Sequence, residues 1–374
     1  MAGFPKMGLV LTGGGARGAY QAGVVSAVAE LACELGVQQP FPVLTGISAG
    51  SINVGYLATH ARDMVKATKR LVGIWEHLSS DQVFKVGGLS LLGIGVRGVL
   101  QLISGGILSE KHARALLNTA PLRQLIESNM SVLEIQKNIE QGVVEGVAIS
   151  ALNYSNGVSN TFFQSHKRIE PWIRIRRTSE RAQICPDHVM ASTAIPLLFP
   201  PQKVGDVYFG DGSLRNYTPL SPAIKLGADR LLVVGVRKEL EDGVDEEAAD
   251  PSPGRIFSVL LNSILLDAID IDYERLCRIN QTMDKLKPWA GTELKAVEPL
   301  IIRPSEDIGV IATQEAAAMP RLMRYLLRGL GSPEENQGLI SYLLFEPAFT
   351  KRLTALGRKD VFARREEIQA FFRW

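Results

Sequence analysis

The sequence predicts an α/β fold built around a largely parallel sheet. Residues 7–11 form a short apolar run that leads through a glycine loop into a helical pattern. Residues 41–45 form a second apolar run, which turns sharply at Gly46 to Gly50 into another helical pattern. A strand, a helix and a further strand follow one another over residues 204–236. Units of this kind build parallel sheets with helices on their faces.

The remaining elements follow from apolar periodicity and from cap and turn residues. The predicted strands are residues 7–11, 41–45, 143–152, 158–164, 204–209, 231–236 and 300–303. The predicted helices are residues 19–35, 49–61, further stretches to His77, 109–125, 131–142, 187–194, 219–226, 255–286, 319–330, 334–345, 347–356 and 360–372.

Composition is that of an ordinary globular protein of 374 residues, 46% apolar and 21% charged. A net charge of +2 gives no reason to expect a nucleic-acid partner. Three widely spaced cysteines indicate neither a disulfide framework nor a metal site, and they favour a reducing compartment. The first residues lack the apolar length and cleavage site of a signal peptide. We therefore expect a cytoplasmic protein.

Two segments raise the question of lipid contact. Residues 86–108 are apolar around a central Arg97 and rich in glycine, so a membrane-spanning helix is not expected. A buried helical pair is the simplest expectation, and a flap or a surface that dips into lipid is the alternative. Residues 164–185 carry a basic cluster, for which a solvated face is the simple explanation and contact with an anionic surface the other. The cluster comprises Lys167, Arg168, Arg174, Arg176, Arg177 and Arg181.

The C-terminal helix at residues 360–372 has one apolar face, formed by Val361, Ile368, Phe371 and Phe372. Packing on the domain is expected. A basic amphipathic helix at a membrane surface is the alternative.

The glycine loop Gly13 to Gly18 directs backbone amides at the start of a helix towards a negative charge. A dinucleotide site would need an acidic residue after the second strand, and a phosphate loop would need a following Gly-Lys-Ser/Thr. The chain has neither. An oxyanion hole uses the same amides, and Ser48 at the centre of the Gly46 to Gly50 turn supplies the nucleophile that such a hole serves.

A serine nucleophile needs a base, and this chain offers few. The last of its five histidines is His188, so a Ser, Asp, His order built on Asp211 is impossible. A triad with His166 or His188 and an earlier acid remains open, although both are expected to be surface or hydrogen-bonded residues. Asp211 follows a predicted strand between two glycines and, in a parallel sheet, would share the serine's edge. A plain Asx turn is its alternative role.

At this point the sequence resembles the patatin-like phospholipases over residues 7–236. Four motifs occur in that family's order: Gly13-Gly14-Gly15-Ala16-Arg17-Gly18, Gly46-Ile47-Ser48-Ala49-Gly50, Ala191-Ser192-Thr193-Ala194-Ile195-Pro196 and Asp211-Gly212-Ser213. Family members usually have Gly or Ala where this chain has Ser213. The departure is small in size but can change how Asp211 is held.

The resemblance implies a three-layer α/β/α hydrolase domain over residues 1–310, with a helical extension at 311–374 packed on it. It implies that Ser48 is the nucleophile and Asp211 the base of a catalytic dyad. It places the oxyanion hole at the amides of the loop, namely Gly13, Gly14, Gly15, Arg17 and Gly18. No metal or other cofactor is expected, because the acidic, His and Cys spacings offer no ligand set.

The implied activity is hydrolysis of fatty acyl esters of (lyso)phospholipids or related glycerolipids, of the phospholipase A or lysophospholipase type. Its partners would be the lipid substrate and, peripherally, a membrane surface. Two rivals stay open. One is a nucleotide or anion binder in which Ser48 only caps a helix, and the other is a catalytically silent scaffold that binds lipid through residues 86–108. The sequence leaves the oligomeric state undetermined.

Overall fold

The computed structural model describes residues 5–86, 115–239, 252–285 and 295–373. Apart from its first residue, the apolar segment 86–108 lies outside the described residues. So do most of the acidic loop 239–253 and the first part of the helix predicted at 109–125.

The predicted strands lie close to their observed positions, with the exceptions described below. They are β1 (Met7–Leu11), β2 (Val43–Ile47), β3 (Lys85–Val86), β4 (Leu117–Asn118), β5 (Gly146–Asn153), β6 (Val158–Ser165), β7 (Ile173–Arg174), β8 (Arg177–Arg181), β9 (Gln202–Val204), β10 (Val207–Asp211), β11 (Arg230–Val234) and β12 (Glu298–Ile302).

The helices alternate with the strands in the first two thirds of the chain and dominate the last third. They are α1 (Gly18–Glu34), α2 (Ala49–Thr59), α3 (Met64–Glu76), α4 (Ser80–Val83), α5 (Ala120–Asn129), α6 (Val132–Glu140), α7 (Pro186–Ser192), α8 (Ser221–Lys225), α9 (Pro253–Leu265), α10 (Asp267–Lys285), α11 (Ile308–Gln314), α12 (Arg321–Arg328), α13 (Gln337–Leu343), α14 (Pro347–Ala363) and α15 (Arg365–Phe372).

The main sheet has the strand order β12-β11-β1-β2-β5-β6-β8-β7. Strands β12, β11, β1, β2 and β5 run parallel to one another. Their carboxyl ends therefore meet at one side of the sheet, called here the carboxyl edge. Strands β3 and β4 pair separately as a short ribbon. The predicted α/β fold is confirmed.

Two predictions about strands are wrong. The single strand expected at 204–209 is a hairpin, because Gly205 and Asp206 form a turn between β9 and β10. The polar stretch 164–185, to which no strand was assigned, contains β7 and β8. β7 is the outermost strand at this end of the sheet and β8 is the next, and their polar composition hides them from a search for apolar alternation.

Apolar side chains fill both faces of the sheet. On one face Leu9 and Leu11 join a large core that includes α1, α2 and α3. On the other face Val10 packs with Ala223 of α8 and Ile269 of α10. The alternation within β1 follows from the pleat, which directs successive side chains to opposite faces. The molecule therefore has three layers, with the sheet in the middle.

The C-terminal helices cover the outer surface of α1, which is why most residues of α1 are buried. The Tyr20 hydroxyl donates to the Asp360 carboxylate of α14 at 2.9 Å across this contact. Val361, Ile368 and Phe372 are almost completely buried. The expectation that this face packs on the domain is confirmed, and the membrane alternative for it is wrong.

Within the described ranges, none of the helices is both long enough and apolar enough to cross a membrane.

Candidate active site

Ser48 lies on a strained elbow between β2 and α2. Its φ of 52° and ψ of −126° are unfavourable for any residue with a side chain. The strain persists because β2 and α2 are buried on either side and fix the direction of the chain. The side chain is 4% exposed and faces the cleft described below.

Gly46 and Gly50 are required by close packing rather than by their own backbone angles. A Cβ on Gly50 would lie 2.2 Å from the carbonyl oxygen of Leu11, and one on Gly46 would lie 2.5 Å from the carbonyl oxygen of Gly50. The left-handed φ at this elbow belongs to Ser48 itself.

Ser192 of α7 holds the elbow in place, and sequence reasoning assigned it no role. Its hydroxyl accepts a hydrogen bond from the Ser48 amide at 2.9 Å and donates one to the carbonyl of Ser150 at 2.7 Å. The hydroxyl is completely buried, so both bonds are sheltered from water. Ser192 lies in the Ala191 to Pro196 motif, which was the available signal.

Asp211 reaches the elbow from the opposite direction. Strand β10 is antiparallel to β5 and pairs Asp211 with Ala151, whereas β2 is parallel to β5 and pairs Ile47 with Ser150. The two strands therefore approach each other head-on along the same side of β5. The expectation that Asp211 ends a parallel strand is wrong. Its predicted position at the carboxyl edge beside the elbow nevertheless agrees with the structure.

The Asp211 carboxylate is completely buried and only partly satisfied. Its Oδ1 accepts from the Ser213 amide at 2.8 Å, which is the Asx turn considered as an alternative. Within the described part of the chain its Oδ2 makes no hydrogen bond of standard geometry. The Ser48 hydroxyl still lies near enough to favour the charged carboxylate. The two side chains thus approach more loosely than in a full hydrogen bond, as catalytic pairs often do before substrate binds.

Burial raises the pKa of Asp211 to about 6. The Ser48 hydroxyl, then the amide and hydroxyl of Ser213, act in the opposite direction by favouring the charged form. Because desolvation dominates, the carboxyl group can accept a proton near neutral pH, where a free aspartate could not.

The glycine loop lies against the same two residues. A Cβ on Gly13 would lie 3.1 Å from Cβ of Ser48 and 2.4 Å from Oγ of Ser213. Among the described residues the amides of Gly13, Gly14 and Gly15 find no hydrogen-bond acceptor. The two other amides assigned to the oxyanion hole are already used, since Arg17 donates to Gly14 at 3.1 Å and Gly18 donates within the same turn.

The Arg17 side chain points away from Ser48 and ties the loop to the C-terminal helices. Its Nε and Nη2 donate to the Ser341 hydroxyl at 2.9 and 2.7 Å, and its Nη1 donates to the carbonyl of Val236 at 3.2 Å. The guanidinium also stacks over the Tyr342 ring at 4.8 Å. Gly15, with φ of 57°, fits against the Tyr342 carbonyl, where a Cβ would lie 2.3 Å from the oxygen. Helix α13 therefore supports the loop from behind.

A narrow apolar cleft of about 750 Å³, open mouth included, runs from Ser48 between α2, α3 and α5. Aliphatic and aromatic side chains form nearly all of its wall. Those that argue most clearly for an apolar ligand are Ile52, Trp75, Leu122, Met130, Phe199 and Phe345. Sequence reasoning placed none of these residues, because each comes from a different element and only the fold brings them together.

The two histidines left open as partners of Ser48 have other roles. His188 is buried against Phe162, and its Nδ1 accepts from the Cys185 amide at 3.1 Å. Burial lowers the pKa of His188 to about 4, so the ring is neutral. His166 is exposed, and its Nδ1 lies 2.7 Å from the carbonyl oxygen of Ile139. Neither ring lines the cleft.

Several solved structures are similar to this chain at low identity. VipD from Legionella pneumophila is 12% identical with a TM-score of 0.36, and the match covers 91% of this chain and 67% of that one. Human GIVD cytosolic phospholipase A2 is 12% identical with a TM-score of 0.43, over 99% and 60% of the two chains. The complex of that phospholipase with methyl gamma-linolenyl fluorophosphonate is 13% identical with a TM-score of 0.40, and the match covers 98% of this chain and 59% of that one.

This chain therefore spans about three fifths to two thirds of the length of those structures. No curated protein sequence matches it. The sequence profile described as patatin-like phospholipase matches residues 9–224, which is more than half of the chain. That stretch contains the elbow, the glycine loop and Asp211, and we conclude that the chain belongs to the patatin-like phospholipase family, a family of lipid acyl hydrolases.

Proposed function

We propose that this protein is a serine hydrolase that cleaves fatty acyl esters of phospholipids, lysophospholipids or related glycerolipids through a dyad of Ser48 and Asp211. The observation that carries the proposal is the apolar cleft that begins at the strained serine. A cleft with an almost wholly apolar wall selects a long hydrocarbon chain, because polar substrates would lose hydration without gaining hydrogen bonds.

The proposed reaction is acyl transfer in two steps. Asp211 accepts the hydroxyl proton of Ser48 while the serine oxygen attacks the ester carbonyl carbon. The negative charge that develops on the carbonyl oxygen is stabilised by the amides of Gly13, Gly14 and Gly15. The C–O bond to the alcohol breaks, and Asp211 returns its proton to the leaving alcohol. Water then attacks the acyl-serine while Asp211 accepts its proton, the C–O bond to Ser48 breaks as Asp211 returns that proton to the Ser48 oxygen, and the fatty acid leaves.

Arg17 and Gly18 have a supporting role in this proposal. Their amides already donate within the loop, and the Arg17 guanidinium holds the loop against α13. The same geometry weakens the nucleotide-binding alternative. A phosphate site is served by a cation, but this guanidinium is buried and bonded to Ser341.

Labelling with a fluorophosphonate probe and hydrolysis of a soluble fatty acyl ester test the dyad directly. Ser48→Ala removes the nucleophile and should abolish both, with a loss of activity of about 10⁴-fold or more. Asp211→Asn should reduce hydrolysis by at least about 10³-fold, because an amide cannot accept the proton. The matched controls are Ser155→Ala and Asp206→Asn, both exposed.

The pH dependence gives a second test. Asp211 must be ionised to act as a base, so kcat/KM should rise with pH to a plateau, with a midpoint set by the Asp211 pKa of about 6. Activity that survives either dyad substitution in a folded protein overturns the proposal. Tight nucleotide binding that ignores Ser48→Ala supports the anion-binding alternative instead.

A further inference from the structure

The hairpin at the end of the sheet, residues 173–181, exposes two isoleucines to solvent. It comprises β7, the turn residues Ile175 and Arg176, and β8, and we call it the edge hairpin. Ile173 is 75% exposed and Ile175 is 90% exposed. Because these two side chains stay exposed to water, they add almost no hydrophobic stabilisation to the fold.

The turn of the edge hairpin is also unfavourable locally. Two-residue turns between strands usually contain Gly, Asn or Asp, which tolerate a left-handed backbone. Here the positions are filled by Ile175 and Arg176, and Arg176 has a φ of 59°. A β-branched residue and a strained arginine at such a turn lower stability, and positions that conflict with local preference are commonly functional.

The charge around the tip is strongly positive. Residues 167–181 contain six basic and two acidic side chains, although the whole chain carries a net charge of only +2. One of the acidic residues, Glu170, pairs with Arg168 at 3.1 Å. Arg174 and Arg176 flank Ile175 and are exposed. The tip therefore combines apolar side chains with an excess of cations.

Strand register places the tip at the same edge of the sheet as Ser48. Ile47 is level with Ser150, which pairs with Thr161, and Thr161 pairs with Ser179 of β8. The turn at Ile175 lies three to four residues further along, so it projects roughly 10 Å beyond that level. It is three strands away from β2, or about 14 Å across the sheet.

The edge hairpin is anchored to the segment that follows Asp211. The Arg177 guanidinium donates to the Thr218 hydroxyl, and the Arg215 guanidinium donates to the carbonyl of Gly157 beside the start of β6. Tyr217, next to Thr218, is exposed. The Arg177 contact ties the edge hairpin itself to the segment that follows Asp211, and the Arg215 contact ties that segment to the turn before the neighbouring strand β6.

We propose that the edge hairpin binds the surface of a bilayer that contains anionic lipid. Ile173 and Ile175 enter the boundary of the acyl chains, and Arg174 and Arg176 contact the lipid phosphates and anionic headgroups. Apolar side chains flanked by cations match the two layers of such an interface, namely hydrocarbon and negative charge. In combination with the proposed function, on which this part rests, docking brings the carboxyl edge and Ser48 towards the lipid.

A second copy of the chain is the other occupant that an edge strand could attract. Arginines on β7 and β8 oppose it, since like charges on an exposed edge prevent edge-to-edge pairing. Edge-to-edge pairing with a second copy would also leave the exposure of Ile173 and Ile175 unexplained.

Vesicle binding tests the proposal without any hydrolysis when it is measured with the Ser48→Ala protein. Co-sedimentation should be strong with vesicles of mixed phosphatidylcholine and phosphatidylglycerol and weak with phosphatidylcholine alone. Arg174→Gln and Arg176→Gln should each weaken binding about fivefold. Ile173→Ser combined with Ile175→Ser should weaken it by about tenfold or more.

Matched controls separate the tip from general effects. Ile173→Leu with Ile175→Leu keeps the apolar surface and should bind as before. Lys225→Gln removes an exposed positive charge near the start of β11, at the opposite edge, and should have little effect. When Ser48 is kept, the variant that combines Ile173→Ser with Ile175→Ser should hydrolyse a soluble ester normally and lose activity only on vesicles.

The proposal is overturned if the isoleucine-to-serine variant or the arginine-to-glutamine variants of the tip bind anionic vesicles as tightly as the protein with an unchanged tip. It is also overturned if neutral and anionic vesicles bind equally, or if the serine variants instead change a monomer–dimer equilibrium measured by analytical ultracentrifugation. Failure of the dyad proposal gives a different pattern. In that case the unmodified chain would hydrolyse no ester, while the Ser48→Ala protein would still bind vesicles through the tip.

Discussion

The Asp211 carboxyl group is completely buried, and burial disfavours its charged form. Burial raises the pKa of this carboxyl from 3.8 to about 6, so the native state binds a proton more tightly than the unfolded chain does. Stability contributed by this group therefore falls as pH rises from about 4 to about 6. Above that window the ionised carboxylate costs the fold about 3 kcal/mol at most.

Asp211→Asn should therefore stabilise the protein at pH 8 while it abolishes hydrolysis. The amide keeps an acceptor for the Ser213 amide but carries no charge, so we expect the free energy of unfolding to rise by about 1–3 kcal/mol. Urea unfolding at pH 8 and at pH 4 measures the effect, which should nearly vanish at the lower pH. Asp206→Asn should change neither value, and an equal gain at both pH values would contradict the electrostatic explanation.

Sequence reasoning at this scale found Ser48, Asp211 and the glycine loop because each sits in a short motif with its own backbone requirement. It did not find the role of Ser192. Ser192 acts through the amide of Ser48 and the carbonyl of Ser150, and these three residues are adjacent only after β2, β5 and α7 have packed. No local periodicity reports such a contact.

At the scale of elements, the nucleophile elbow depends on contact between two backbones. Gly50, the second residue of α2, lies directly against Leu11, the last residue of β1, and its missing side chain lets the helix start there. The packing of α2 on the sheet and the exposure of Ser48 to the cleft therefore depend on the same atom-scale contact.

Gly50→Ala should lower the free energy of unfolding by about 3 kcal/mol or more, because its Cβ would lie 2.2 Å from the Leu11 oxygen and neither backbone can move away. Gly73→Ala is the matched control. Gly73 lies inside α3 with no atom near its Cβ position, so alanine should stabilise the helix by about 0.5–1 kcal/mol. Urea unfolding of both variants checks the pair, and two changes of the same sign would contradict the packing argument.

Element boundaries were predicted well where apolar strands alternate with amphipathic helices, as in β1 and α1. They failed at β9 and β10, where the search for one apolar run passed through Gly205 and Asp206 although that dipeptide is a hairpin signal. The two strands of the edge hairpin were missed because they are short and mostly polar, so they show no apolar alternation.

At the scale of the whole molecule, the C-terminal helices belong to the architecture of the site. Phe345 lines the cleft, Tyr342 supports Gly15, and Ser341 accepts from Arg17. The division into a domain at 1–310 and an extension at 311–374 stays a prediction, and α11 crosses the proposed boundary. The sequence predicted no site residue in the extension, because contacts between residues so far apart in the chain leave no motif.

Ser341→Ala tests the coupling between this extension and the glycine loop. It leaves two donors of a buried guanidinium unpaired, so the free energy of unfolding should fall by about 2–3 kcal/mol. We also expect kcat for a soluble ester to fall about tenfold, because the loop amides lose their support. Ser263→Ala on the exposed side of α9 is the control and should change neither quantity. A stability loss with unchanged kcat would show that the contact does not position the loop.

The contact between the Tyr342 carbonyl and Gly15 also has a consequence for synthesis of the protein. The ribosome must add more than 300 residues after Gly15 before Tyr342 can meet the loop. Partly synthesised chains would thus display the serine elbow without a finished cradle for the oxyanion. The proposed hydrolase activity would then appear only after the C-terminal helices have been made, which would protect nearby membranes during synthesis.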